Sequence, residues 1–192
     1  MYRDLQQSIY KHMPSNSQQY IPDGSVFIVE GATLRAVHTP GHADDKTCFV
    51  LEEEIAMLTG DDVLGHGTAA VEPLGGWLDA LRLMQSHDCK VGYLAHGVVI
   101  PDLQRKINLK LKAKAWRLTQ VLRTLAQIQQ PSRKASVTVK HLVSIVYGDS
   151  FDSELRQTAI GLLIGKVLNK LAEDGEVAFE IRQKEKKWCA IV

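Results

Sequence analysis

Three short segments of this chain combine residue types that can hold a metal ion. In His38-Thr39-Pro40-Gly41-His42, an apolar run ends in a Pro-Gly turn that fixes the backbone and projects an imidazole from a strand end. Thr59-Gly60-Asp61 closes a second apolar run, and the carboxylate of Asp61 again leaves a strand end. Ala95-His96-Gly97 closes a third. A single histidine at a strand end is more often packed or solvated than a ligand. Three ligand-type residues at the ends of three core strands could converge on one rim of a sheet. The chemistry then open to them is hydrolysis at a zinc centre.

Other polar residues near these segments have plainer readings. His38 reads either as a group that steadies the turn behind a ligand or as an ordinary strand histidine. His66 follows Asp61 by five residues in a Gly-flanked loop. It reads as a loop residue, with a substrate-facing or stand-in ligand role as the alternative. Asp44, Asp45 and Asp62 read as turn carboxylates or as supports for a ligand. The chain has no GxSxG elbow, and none of Cys48, Cys89 and Cys189 sits in a suggestive motif, so covalent catalysis finds no support. Neither a P-loop nor GxGxxG is present. Three distant cysteines without a CxxC argue against a disulfide framework or a structural zinc finger, and point to a reducing, cytoplasmic setting.

The elements that must position these residues are legible as changes of period. Asp23-Gly24 signals a turn after a polar, Gln/Ser-rich stretch of twenty residues that reads as loop or short helix. Short β-type runs follow at Val26 to Glu30, Thr33 to His38, Cys48 to Leu51 and Ile55 to Thr59, with Glu52, Glu53 and Glu54 as a solvated hairpin tip. Trp77, Leu78, Leu81 and Met84 fall at helical spacing within residues 75–86, and Val91 to Leu94 is a buried strand that delivers His96. A long helical pattern runs from Asp102 to Gln130, where Pro131 closes it. Beyond it, Val137 to Val139 leads into a helix ending at Tyr147, and a second helix spans Asp152 to Asp174. Two β-type runs then follow, Val177 to Ile181 and Trp188 to Ile191, around a polar turn from Arg182 to Lys187. Helix, helix and a two-stranded wing form a winged-helix-like pattern. The division expected is therefore residues 1–130 and 131–192.

Composition agrees with two units. A hydrophobic fraction of 45% and a charged fraction of 23% are ordinary for a globular protein with a real core. The net charge of +1 hides an asymmetry, because residues 1–100 are acidic on balance and residues 101–192 basic. Between positions 103 and 123 stand Arg105, Lys106, Lys110, Lys112, Lys114, Arg117 and Arg123, with no acid among them. This is a solvated helix face or a landing surface for a polyanion, either an acidic carrier protein or RNA. No apolar stretch approaches a membrane span, and the N-terminus lacks the pattern of a secretory signal.

The motifs HTPGH (38–42), TGDDVLGHGT (59–68) and AHG (95–97) together resemble the downstream half of the metallo-β-lactamase superfamily, in the branch of lactamase-like protein 2. The likeness continues through VEGATLRAVHTPGHADD, CFVLEEEIAMLTGD and the terminal KKWCAIV, and so spans nearly the whole chain. TGDDVLGHGTA looks most like fungal members of polyketide clusters, which are similar to acyl-carrier-protein thioesterases. The resemblance implies an α/β (α+β) fold, a partial αββα sandwich followed by the winged-helix-like module. It implies two zinc ions, with the residue matching His42 on the first, Asp61 bridging both, and His96 on the second. The implied reaction is hydrolysis of an acyl thioester, releasing a polyketide acid from an acyl carrier protein. The same branch also contains endoribonucleases, for which RNA would be the partner. The family's upstream HxHxDH motif, which carries the remaining ligands and the acid/base, has no counterpart in these 192 residues. The expectation is an N-terminally truncated chain with weak or absent zinc binding, exposed sheet edges and a tendency to form homo-oligomers. An inactive relic is the further alternative.

Overall fold

In a computed structural model, the described residues are 9–11, 18–41, 43–64, 73–129, 135–148 and 154–191. The chain divides into two compact units, Met1–Leu111 and Lys112–Val192. This division falls inside the long helix, whereas the boundary expected from the sequence pattern lies after it, at residue 130.

In the first unit, β1 (Ile9–Lys11) and β2 (Gln18–Tyr20) form a short parallel pair. The polar segment carries no strand signal, because it lacks the β-branched alternation that marks one. The main sheet contains β3 (Val26–Val29), β4 (Ala32–His38), β5 (Thr47–Leu51), β6 (Ala56–Gly60) and β7 (Val91–Leu94), in that spatial order. The first four strands form an antiparallel meander, and β6 and β7 are parallel. A parallel neighbour requires a crossover, and α1 (Leu74–Ser86) supplies it. Its apolar stripe of Leu74, Trp77, Leu78, Leu81 and Met84 is buried. With them, Ala36, Val37, Cys48, Ala56 and Met57 of the strands form the core of this unit. The topology sets one further relation. β4 and β6 are each antiparallel to β5, and β7 is parallel to β6, so β4, β6 and β7 all end at the same edge of the sheet.

The expected acidic tip lies in the turn between β5 and β6. Its three carboxylates are all engaged. Glu52 pairs with Arg35, Glu53 accepts from the Thr33 N–H at 2.9 Å, and Glu54 accepts from the Tyr93 hydroxyl. The turn closes through Ile55 N–H donating to Glu52 O at 3.2 Å, with Ile55 itself at φ 49°.

Helix α2 (Leu103–Gln129) carries the basic window. Arg105, Lys112 and Arg123 are exposed, while Lys106, Lys110, Lys114 and Arg117 are partly covered. Burial lowers the Lys114 pKa, helped by the nearby charges of Arg117 and Lys166. Trp116 is 60% exposed on this helix, whereas Trp77 and Trp188 are buried.

The second unit continues with β8 (Val137–Thr138), α3 (Val139–Tyr147), α4 (Glu154–Glu173), β9 (Val177–Arg182) and β10 (Glu185–Ala190). The three strands pair antiparallel in the order β8-β10-β9. Leu142, Val143, Ile164, Leu168 and Trp188 are buried here. Gln129, at the end of α2, exchanges two hydrogen bonds with Ala190, donating to its carbonyl at 3.2 Å and accepting from its N–H at 2.9 Å. The β9–β10 turn is tighter than the sequence indicates. Only Gln183 and Lys184 make it, both with positive φ, and the strand resumes at Glu185. The polar residues Glu185 to Lys187 conceal the strand, since they face Arg182, Ile181 and Glu180 across an exposed ladder.

Candidate metal site at the sheet edge

Because β4, β6 and β7 end together, His38, Asp61 and His96 all stand at one rim. His38 is the last residue of β4, Asp61 follows β6 directly, and His96 lies just past β7. His96 Nε2 is 4.0 Å from Asp61 Oδ1. Asp61 Oδ1 is shielded from solvent and has no hydrogen-bond partner, whereas His96 is 82% exposed at its side chain. A buried carboxylate oxygen ordinarily has a donor or a cation. Oxygen and nitrogen are donors that zinc accepts, and two ligands of one tetrahedral ion lie about 3.3 Å apart for bonds near 2.0 Å. The pair therefore fits a shared metal ion in donor type, while its 4.0 Å spacing is wider than two ligands of one tetrahedral ion take. Among the described residues, no group of three or more His, Cys, Asp or Glu is assembled for a metal ion. His42 and His66, the ligand and the loop residue expected from the sequence, lie outside the described residues.

His38 is tied down rather than presented. Its backbone N–H donates to Asp23 Oδ1 at 2.8 Å, and its Nε2 sits 2.8 Å from the Asp44 carbonyl, closing the turn after β4. The turn is held from below as well. A Cβ at Gly41 would lie 2.8 Å from the Trp77 Cα and 3.0 Å from the Gly76 carbonyl, so the turn rests directly on the first turn of α1.

Behind the rim lies a polar cluster that sequence reasoning missed. The Asp62 side chain is fully buried, and Lys46 Nζ donates to its Oδ2 at 3.0 Å and to the Thr59 carbonyl at 3.3 Å. Thr39 Oγ1 is 3.5 Å from the same Asp62 oxygen, and Trp77 Nε1 donates to the Asp62 carbonyl at 3.2 Å. Cys48 completes the cluster. Burial pushes its thiol up from 9.0 to about 11, against the lowering effect of the Thr39 hydroxyl bond. A thiol held protonated is a poor nucleophile, and Cys48 packs among these groups with no exposure. Asp62 reads in sequence as a turn carboxylate or a support for a ligand, and Lys46 carries no motif. Only the β4–β5–β6 register brings them together.

No protein-family model matches the chain. It is 54% identical over 198 residues to atrochrysone carboxyl ACP thioesterase dmxR1 of Cryptosporiopsis sp., a match that covers 100% of this chain and 62% of that protein. It is 56% identical over 193 residues to lactamase-like protein ptaB of Pestalotiopsis fici, covering 100% and 61%. An atrochrysone carboxyl ACP thioesterase of Aspergillus fumigatus is 52% identical over 197 residues, covering 100% and 47%. The chain thus spans about half to three fifths of these relatives. Among solved structures, a β-lactamase domain protein from Burkholderia ambifaria superposes with a TM-score of 0.74 at 18% identity, over 92% of this chain and 53% of that one. A metallo-β-lactamase family protein from Thermus thermophilus gives 0.66 at 24%, over 94% and 56%. The chain is therefore similar in sequence to fungal ACP thioesterases and lactamase-like proteins, and it carries part of the metallo-β-lactamase fold.

Proposed function

We propose that this chain contributes His42, Asp61 and His96 to a zinc-dependent thioester hydrolase that releases a polyketide acid from an acyl carrier protein. The observation that carries the reading is identity above 50%, along the full chain, to proteins named as atrochrysone carboxyl ACP thioesterases. The Asp61–His96 pair at the common strand end supports it. When bound, zinc supplies Lewis acidity and activated water. The residues of this chain contribute the donor atoms, and the turns after β4 and β6 hold them. His38 serves to fix the first of these turns, and a substrate-contacting role is proposed for His66. The basic residues Arg105, Lys106, Lys110, Lys112, Lys114 and Arg117 offer an acidic carrier protein an electrostatic landing surface. Residues 131–192 act as a winged-helix-like module, and the exposed apolar strand β3 favours association of the chain with itself.

Three of the ligands in the implied two-zinc centre come from this chain, so alone it should bind zinc weakly. Elemental analysis of the purified chain checks this, and two tightly held ions per chain would overturn it. The function itself is tested by joining a segment bearing HxHxDH upstream of Met1 and supplying zinc. Hydrolysis of an acyl-carrier thioester is the expected result, abolished by Asp61→Ala or His96→Ala. Cleavage of single-stranded RNA without thioester hydrolysis would instead assign an endoribonuclease. No gain of any hydrolysis would make the chain a non-enzyme.

A further inference from the structure

Segment 59–62 is gripped at every residue but one. The Thr59 carbonyl accepts from Lys46 Nζ. Gly60 takes φ 54° beneath the lysine stem, where a Cβ would lie 2.9 Å from both Lys46 Cε and Nζ. Asp62 is held through its carboxylate by Lys46 and through its carbonyl by the Trp77 indole. Asp62 is held by one carboxylate oxygen while its Oδ1 stays without a partner, and Asp61 has its Oδ1 unpartnered at the rim, 4.0 Å from His96 Nε2. One ammonium therefore clamps the chain two residues before Asp61 and one residue after it. Lys46 is itself fixed in the turn after β4, where its carbonyl accepts from Thr39 N–H at 2.9 Å and its N–H donates to Ala43 O at 3.2 Å. It thus links the turn that follows β4 to the turn that follows β6.

We propose that Lys46 is the positioning residue for Asp61, holding that carboxylate at the sheet edge in the orientation a metal ion requires. The proposal rests on the reading of Asp61 as a metal ligand. It asks more of Lys46 than neutralising a buried carboxylate. A lysine that only neutralised Asp62 would be replaceable together with it by apolar residues, since such swaps are often neutral for stability.

The test compares Lys46→Met, Lys46→Arg and Lys46→Met/Asp62→Leu with Asp61→Ala and the unaltered 192-residue chain. Three readouts are taken: zinc affinity by competition with a chromogenic chelator, melting temperature, and amide exchange by mass spectrometry. Lys46→Met is expected to speed exchange in the peptide covering 58–64 at least tenfold, with peptides from 154–191 unchanged, and to weaken zinc binding at least tenfold. Lys46→Arg should restore most of both. The double substitution should recover the melting temperature without recovering zinc affinity. Recovery of zinc affinity along with stability in the double variant would show that the pair is structural only. Unchanged exchange at 58–64 in Lys46→Met would overturn the proposal equally. If Asp61→Ala weakens zinc binding and Lys46→Met does not, the proposal fails and the ligand reading stands. If Asp61→Ala leaves the zinc affinity unchanged, the ligand reading falls and the proposal falls with it. If the unaltered chain binds no zinc, the affinities are read with the HxHxDH-bearing segment joined upstream, and no loss there in Lys46→Met overturns the proposal.

Discussion

A side chain at the rim is useful only if the residues beside it are held in place, and Gly41 and Cys48, packed behind it, lend themselves to test. Gly41 touches the backbone of α1 at distances no Cβ tolerates. Gly41→Ala should push the turn off α1 and destabilise the unit by about 1–3 kcal/mol, the usual cost of overpacking, readable as a lower urea midpoint. Cys48 gives a prediction in pH. Its folded pKa of about 11 stands above its ordinary value of 9.0. The unfolded chain therefore releases this proton first. The stability it contributes is complete below pH 9 and is lost as the pH rises towards 11. A thiolate population about a hundredfold smaller than that of a free cysteine should make Cys48 correspondingly slow to alkylate at pH 8, as peptide mass spectrometry would reveal. At this scale the sequence was readable in part. Asp61 and His96 announce themselves through their position after apolar runs. Lys46 and Asp62 do not, because the force that pairs them is burial across three strands, and nothing local encodes it.

The elements were legible wherever apolar period and a turn residue coincide. β3 to β7 and the helices α1 and α2 begin and end within a residue or two of their sequence signals. β10 was not, because its first half is built of charged residues whose partners lie on the facing strand. Local chemistry at element ends yields two tests. Thr138 caps α3 by accepting from the His141 N–H at 3.2 Å, so Thr138→Ala should cost about 1 kcal/mol, measured by thermal or denaturant unfolding of the C-terminal unit. Ile55 holds φ 49° at the end of the acidic tip, in a region where a β-branched residue is strained by about 1–2 kcal/mol. Ile55→Gly should raise stability by about 0.5–1 kcal/mol, after the entropic cost of glycine is subtracted. A lower melting temperature in calorimetry would contradict this.

At the scale of the chain, the edge strand β3 carries exposed apolar side chains among the described residues. On β3, Ile28 is 79% exposed, with Val26 and Val29 also open. An edge strand with apolar side chains exposed can pair with another chain. The 192-residue chain should associate as its concentration rises in sedimentation velocity runs, and Ile28→Lys should shift it towards monomer. A monomer at every concentration would refute the idea. No helix among the described residues is long and apolar enough to cross a membrane. The distribution of the three tryptophans also gives the chain a spectroscopic division of labour. Trp77 lies buried in the first unit with its indole bonded to the Asp62 carbonyl, Trp188 lies buried in the second, and Trp116 faces solvent. In a Trp116→Phe background the fluorescence would come from two interior probes, one per unit. Replacing Trp188 or Trp77 as well would leave a single probe in one unit, whose quenching by acrylamide follows the melting of that unit, and the Trp77 signal would register loosening of the loop behind the rim.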